Sequence, residues 1–172
     1  MSEKSVEKLR ALLKGYAERT GAGTGAAAGG GGGGGAGMKP AHDESERRRR
    51  TCGERLQKVV RPVLDRVVDE LTNAGHEAAI EDQSATTGAY PSVELAFTPR
   101  SPAGTALTSM LTFRCDPRRG IAVGRDIKPS PAKGRVVTTS SDRIGTMKAE
   151  AVSVEWVETK TLSFIEAVLK VN

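Results

Sequence analysis

Aromatic side chains are scarce in this chain, at 3% of its 172 residues. A hydrophobic core must therefore be built from Val, Leu, Ile and Ala. Such a core suits helices packed on a sheet, and it argues against a large ligand cavity lined by aromatic rings.

Histidine and cysteine are also rare, with two of each. The sequence has no CxxC, HxxxH or HExxH pattern and no pair of carboxylates at a recognised spacing. We therefore expect no metal, no cofactor and no catalytic residues. A non-catalytic protein is the prediction, and an enzyme of unrecognised type is the last alternative.

The two cysteines are too few for a disulfide framework. Cys115 ends a strand pattern and is expected to be a small buried residue. Cys52 follows four arginines, whose charge favours a thiolate, but no histidine lies near it in sequence. We therefore expect no reactive role for Cys52.

Long apolar runs are missing as well. No run approaches the roughly 18 residues that a membrane-spanning helix requires. The first residues are charged and lack the apolar segment of a secretory signal. These features predict a cytoplasmic protein without a membrane span.

Glycine and alanine, by contrast, dominate one segment. Residues 21–37 are almost entirely Gly and Ala, and Gly29 to Gly35 are seven consecutive glycines. Such a segment has nothing to bury and much backbone freedom to lose, so we expect a flexible tether. The predicted organisation is a short amphipathic helix at 1–20, a linker at 21–45 and a globular domain at 46–172.

The first helix is predicted from apolar residues at helical spacing, with Ser2 or Ser5 as its cap. A helix this short is not stable alone in water, so it must dock on something. It docks either on its own domain or in the groove of a partner protein. The residues expected to make that contact are Val6, Leu9, Leu12, Leu13 and Tyr16.

A second, longer helix is expected over residues 46–75, because apolar residues recur there at three- and four-residue steps. Pro62 lies inside this pattern and predicts a bend or a restarted helix. Gly75 is expected to end the helix in the left-handed conformation, followed by a structural His76.

Segments of alternating apolar and polar residues follow, as in an antiparallel meander with one buried face. The strands are expected at 76–83, 92–98, 107–115, 120–128 and 135–140, with a sixth at 147–157. The buried side chains expected on them are Ala78, Ile80, Val93, Leu95, Phe97, Leu107, Leu111, Phe113, Cys115, Ile121, Val123, Ile127, Val152, Val154 and Trp156.

A last helix is expected over Thr159 to Val171, capped by Thr159 or Thr161. Two amphipathic helices that bracket a single meander should lie together on its apolar face. The predicted fold class is therefore α+β: an N-terminal and a C-terminal helix on one face of a five- or six-stranded antiparallel sheet, preceded by the tethered helix.

The net charge of +5 is unevenly distributed. Residues 98–148 carry ten basic and three acidic side chains, which makes them a candidate surface for nucleic acid or another polyanion. Arg125 is an even number of positions from Ile121 and Val123, so on a regular strand its side chain would point to the same buried face. This predicts that Arg125 lies at the rim of the sheet or at a β-bulge. The candidate residues are Arg114, Arg118, Arg119, Arg125, Lys128, Lys133 and Arg135.

Arg47 to Arg50 are a second basic run, typical of nuclear or nucleic-acid segments. Consecutive helical residues point around the whole helix, so these four are not expected to form one flat patch. The nucleic-acid hypothesis is weakened by the lack of aromatic residues on strands four and five.

The first functional hypothesis is therefore a protein-interaction or adaptor module. Its tethered helix would dock on a partner or on its own domain, and the sheet surface is a second contact for a protein partner. Nucleic-acid binding through residues 98–148 is the alternative.

Overall fold

A computed structural model describes residues 1–21, 43–86, 90–102, 106–131 and 140–172. The helices are α1 (Glu3–Thr20), α2 (Asp43–Arg55), α3 (Arg61–Asn73) and α4 (Val154–Val171). The strands are β1 (Glu77–Asp82), β2 (Ser92–Thr98), β3 (Ser109–Asp116), β4 (Gly120–Ile127) and β5 (Ser140–Met147). These elements confirm the α+β class, with helices at both ends and one antiparallel sheet between them.

The second helix contains the predicted irregularity near Pro62. A π-helical turn, Leu56–Val60, joins α2 to α3, and Pro62 lies in the first turn of α3. Proline has no N–H to donate to the preceding turn. The wider π-helical turn lies directly before it and is closed by the Arg61 N–H, which donates to the Leu56 carbonyl.

The end of α3 also follows the prediction. Gly75 has a φ of 84° and donates its N–H to the Thr72 carbonyl, while the His76 N–H reaches the Leu71 carbonyl at 3.0 Å. These two bonds make a Schellman motif, which occupies the last carbonyls of the helix and turns the chain into β1.

The sheet has the sequential order β1-β2-β3-β4-β5, and every neighbouring pair is antiparallel. Its inner face carries the predicted alternation: Val93 and Leu95 of β2 lie opposite Phe113 and Leu111 of β3, and the buried Phe97 lies opposite Ser109. Helices α3 and α4 pack on this face and complete one hydrophobic core. The other face, among the described residues, carries no helix.

The β3–β4 turn contains Asp116, Pro117 and Gly120, three residue types that favour tight turns. Asp116 accepts N–H hydrogen bonds from Arg118 and Arg119 at 2.9 and 3.2 Å. Gly120 has a φ of 108°, and a β-carbon there would overlap the Met147 carbonyl. Only glycine therefore fits this position without moving β5.

The predicted ends of β3 and β4 need small corrections. Leu107 was expected to be buried, but it precedes β3 and is 38% exposed. Arg125 shares the inner face with Leu111, its partner across the β3–β4 pair, and bonds Asp142 of β5 at the rim. A register irregularity lies beside it, between Val123 and Gly124.

The chain after β4 differs most from the prediction. Ser140 was predicted as the end of a strand at 135–140, but it begins β5 and is followed there by Ser141 and Asp142. The strand predicted at 135–140 otherwise lies outside the described residues.

The predicted sixth strand at 147–157 is wrong. Its segment contains a short 3-10 turn, Ala149–Ala151, followed by the start of α4. Ser153 caps α4 by accepting a hydrogen bond from the Trp156 N–H, so the helix begins earlier than Thr159. Val152 is buried, but Val154 is exposed. Val154 is the first residue of α4, so residues two positions apart no longer share a face here.

Helix α1 begins at its predicted cap, since Ser2 accepts a hydrogen bond from the Ser5 N–H. Its apolar stripe joins the same core as α3, α4 and the sheet. The glycine-rich linker predicted at 21–45 lies outside the described residues except for Gly21 and the first turn of α2.

Candidate polyanion interface

The residues of α1 predicted to bind a partner contact this chain itself. Val6, Leu9, Leu13 and Tyr16 are buried against α3 and α4, and Leu12 is half-buried beside them. The Tyr16 hydroxyl also donates to the Arg100 carbonyl at 3.0 Å. The sequence left open whether α1 docks on its own domain or in the groove of a partner. In this structure α1 docks on its own domain.

Polar contacts hold both halves of α1. The buried carboxylate of Glu158 on α4 accepts hydrogen bonds from the Ser2 and Ser5 hydroxyls and from the Ser2 N–H. Burial alone would raise the pKa of Glu158, but these donors outweigh it and the pKa is lowered. Arg10 adds a bidentate pair with Glu70 of α3, both contacts being 2.7 Å.

The basic residues predicted on strands three to five do not gather on one side. Arg118 and Arg119 lie in the β3–β4 turn, and Arg114 projects from the helix-free face of β3 nearby. Lys128 follows the opposite end of β4, where its N–H donates to Ser109 at the start of β3. Lys133 and Arg135 lie outside the described residues.

The arginine run of α2 lies beside the turn that carries Arg118 and Arg119. Arg48 donates to the Pro117 carbonyl at 3.5 Å, and Arg49 donates to the Thr86 carbonyl at 3.4 Å. Two arginine-rich segments that are distant in sequence therefore meet at one end of the sheet. We call this group the arginine end, and its members are Arg48, Arg49, Arg118 and Arg119.

The arginine end cannot be predicted from the sequence, because its two basic segments are far apart along the chain. The contact between Arg48 and Pro117 joins residues 69 positions apart, and no local pattern encodes it. The only useful clue was the spacing of Cys52 and Leu56, which predicts that α2 continues the buried stripe of α3 over the sheet.

The charges of the arginine end are only partly neutralised. Arg48 pairs with Glu44 at 2.5 Å. Among the described residues, however, no carboxylate lies within ion-pairing distance of the Arg118 or Arg119 guanidinium. Arg125, in contrast, is held by Asp142 at 2.9 Å. The turn therefore supplies the positive charge most available to an external anion.

An exposed aromatic ring lies at the same end of the sheet. Tyr90 is 46% exposed and directly precedes Pro91, whose carbonyl accepts a hydrogen bond from the Cys115 N–H at 2.8 Å. This contact places Tyr90 beside the end of β3, where the turn with Arg118 begins. The other five aromatic side chains are buried or half-buried.

Within the described part of the chain, no group of three or more His, Cys, Asp or Glu side chains is placed to hold a metal ion. None of the helices in that part has the length and apolar character needed to cross a membrane. His76, expected to be structural, is buried with its Nδ1 accepting the Arg100 N–H at 2.9 Å.

Comparisons of the chain with protein-family models, with curated proteins and with solved structures found no match. No functional residue is therefore transferred from another protein, and the geometry of the arginine end carries the functional inference.

Proposed function

We propose that this chain is a non-catalytic module that binds nucleic acid through the arginine end. The observation that carries the proposal is the meeting of two arginine-rich segments, on α2 and in the β3–β4 turn, at one end of the sheet. Arg118 and Arg119 would contact backbone phosphates, with Arg48 and Arg49 of α2 extending the same surface.

Arginine suits this role because its planar guanidinium binds phosphate oxygens in a bidentate manner and stays charged at any physiological pH. Phosphate contacts release counterions from the nucleic acid, which makes the affinity fall steeply with salt. The pI of about 9.4 adds a long-range attraction to any polyanion.

Tyr90 favours nucleic acid over an acidic protein segment as the ligand. Exposed rings beside basic residues are the usual platform on which unpaired bases stack, and such stacking contributes about 1–3 kcal/mol per base. An acidic peptide would gain little from this ring. We therefore expect the ligand to be single-stranded nucleic acid, because its bases are free to stack.

The test compares two double variants of equal charge. Arg118→Gln with Arg119→Gln should weaken binding of a fluorescein-labelled single-stranded oligonucleotide, measured by anisotropy over a salt series. Each lost phosphate contact reduces the slope of log K against log salt by about 0.7 for a single strand, so two contacts predict a change of about 1.4.

The matched control is Lys8→Gln with Lys14→Gln, which removes the same charge from exposed positions of α1, a helix that contacts α3 and α4. If both double variants lose affinity equally, only net charge matters and the proposed site is wrong.

A third comparison separates nucleic acid from other polyanions. Tyr90→Ala should weaken oligonucleotide binding and leave retention on heparin unchanged, because heparin has no bases to stack. Leu107→Ala is the control, since Leu107 is also exposed but lies at the opposite end of β3. An oligonucleotide affinity that is insensitive to Tyr90→Ala would show that no base stacks on Tyr90, and the preference for single-stranded nucleic acid over other polyanions would be wrong.

The adaptor hypothesis based on α1 gains no contact in its favour. A partner groove would have to take the stripe of Leu9, Leu13 and Tyr16 away from α3 and α4. It would also have to break the Glu158 and Arg10 contacts that hold the helix. We therefore assign binding to the arginine end and a structural role to α1.

A further inference from the structure

The helix-free face of the sheet carries a row of residues whose charge changes sign from one edge to the other. The row runs across β1 to β5 through directly paired residues, which are, in strand order, Glu81, Glu94, Thr112, Gly124 and Arg143. Glu94 is half-buried, and Glu81 and Arg143 are exposed. Within the segments that the structure describes, none of these three charged side chains has an ion-pair partner. Along this row, the face is therefore acidic at β1 and β2 and basic at β5.

The middle of the same face carries few bulky side chains. Ala96 of β2, Met110 of β3 and Ala122 of β4 are half-buried there. Gly124 lies beside them, and a β-carbon at this position would approach only the Asp142 carbonyl, at 3.9 Å. A second sheet can therefore come as close as the roughly 10 Å at which packed sheets lie.

We propose that two copies of this chain form a dimer through their helix-free faces, about a two-fold axis that runs parallel to the strands between β3 and β4. Rotation about this axis exchanges the positions of β2 and β5, and also those of β3 and β4. Glu94 of each copy then lies over Arg143 of the other, with Glu81 next to the same guanidinium. An axis across the strands would instead place Glu94 over Glu94, so the charges select the first arrangement.

The same rotation brings the middle positions of the row together. Thr112 of one copy lies over Gly124 of the other, where the missing side chain leaves room for it. Asp126, two residues further along β4, has a buried Oδ1 without a hydrogen-bond partner in the described part of the chain. The Thr112 hydroxyl of the second copy would donate to this carboxylate, which is a contact that the single chain lacks.

The direction of the axis also decides where the arginine ends lie. Because the axis runs along the strands, both β3–β4 turns lie at the same end of the dimer. The two arginine ends would then face one ligand together. The dimer itself needs no nucleic acid, so its test is separate from that of the proposed function.

Sedimentation equilibrium of the full chain, without nucleic acid, tests the dimer. At low salt the native protein should have twice the 18.1 kDa mass of one chain, and it should dissociate as the salt concentration is raised. A native protein that stays monomeric at low salt overturns the proposal without the use of any variant.

Charge reversals test the pairing of Glu94 with Arg143. Each of Glu94→Arg and Arg143→Glu turns two attractive contacts of the dimer into two repulsive ones, and should raise the dissociation constant by about 10- to 100-fold. An equimolar mixture of the two variants should dimerise like the native protein, since opposite charges face each other again in the mixed dimer. Glu7→Arg, the same change of charge at an exposed position of α1, is the control and should keep the native dissociation constant.

The proposed pairing is wrong if both reversals leave the dimer intact, or if the mixture stays monomeric although both variants keep the native far-ultraviolet ellipticity. Should a reversal not fold, Glu94→Gln and Arg143→Gln remove the same contacts with a smaller change. A native dissociation constant in both of these variants would equally show that the dimer uses another surface.

Discussion

His76 occupies the junction between α3 and β1, and its side chain is 7% exposed. The ring lies 5.6 Å from Tyr16 and 5.7 Å from Phe97, centroid to centroid. Burial, aided by the charge of Arg100, lowers the pKa of His76 to about 4 from its ordinary value of 6.5. Its Nδ1 accepts the Arg100 N–H, and a proton on that nitrogen would remove the acceptor. The folded protein therefore holds the neutral imidazole.

This lowered pKa predicts a loss of stability as the solution is acidified. Between the two pKa values the unfolded chain binds a proton at His76 and the folded chain does not, so acid favours unfolding. The stabilisation is complete above the unfolded value of 6.5 and is lost as the pH falls towards about 4. The free energy of unfolding should fall by about 2 kcal/mol between about pH 7 and about pH 5 through this residue.

Urea titrations at both pH values measure the effect. His76→Gln keeps an acceptor for the Arg100 N–H but cannot titrate, so its loss of stability over this interval should be smaller by that amount. An equal pH dependence for His76→Gln and the native protein would show that the folded His76 titrates normally.

At the scale of elements, sequence patterns succeed where one face of a segment is buried and the other is not. β2 was predicted correctly because Val93, Leu95 and Phe97 all face the core, which leaves a clear period of two. β5 was missed because its first residues, Ser140 to Asp142, are polar and most of the strand is not buried. β5 is an edge strand, and its position is set by its hydrogen-bonded pairing with β4. Its own sequence has no apolar–polar alternation that would predict this pairing.

The start of α4 shows a second limit of predicting secondary structure from local sequence patterns. Val152, Val154 and Trp156 alternate like a strand, yet Ser153 caps a helix that continues through Val157. A three-residue alternation fits both periods, and only the later residues of the helix decide between them. The arginine end is a third case, since its geometry depends on tertiary contacts that no local pattern contains.

Helix α1 packs on α3 and α4, and Leu9 tests how much this packing contributes to the folded core. Leu9 is fully buried between α1 and the core. Leu9→Ala should lower the free energy of unfolding by about 2–5 kcal/mol, because it removes buried methyl groups and leaves a cavity. Urea denaturation measures this loss.

Glu7→Ala is the control on the same helix, at an exposed position, and should change stability by less than about 0.5 kcal/mol. If Leu9→Ala were as mild as Glu7→Ala, α1 would not be part of the folded core and would again be a candidate for binding a partner.

The described part of the molecule has one continuous core, and α1, which the sequence predicts as a short helix before a glycine-rich segment, belongs to it. Leu9 and Tyr16 of α1 belong to the same cluster as Leu64, Phe97 and Phe164. Since these side chains bury one another, losing α1 exposes apolar surface of α3 and α4 as well. The described helices and the sheet should therefore unfold together.

This cooperativity can be measured with the chain's single tryptophan. Trp156 lies on α4, half-buried, with its ring 6.2 Å from that of Phe113, so its fluorescence reports the core. Fluorescence and far-ultraviolet ellipticity should give the same urea midpoint in the native protein, as in other two-state domains. Leu9→Ala should move both midpoints together, although residue 9 and Trp156 lie on different helices. A shift in ellipticity without a shift in fluorescence would mean that α1 melts by itself, and that the core of this protein is complete without it.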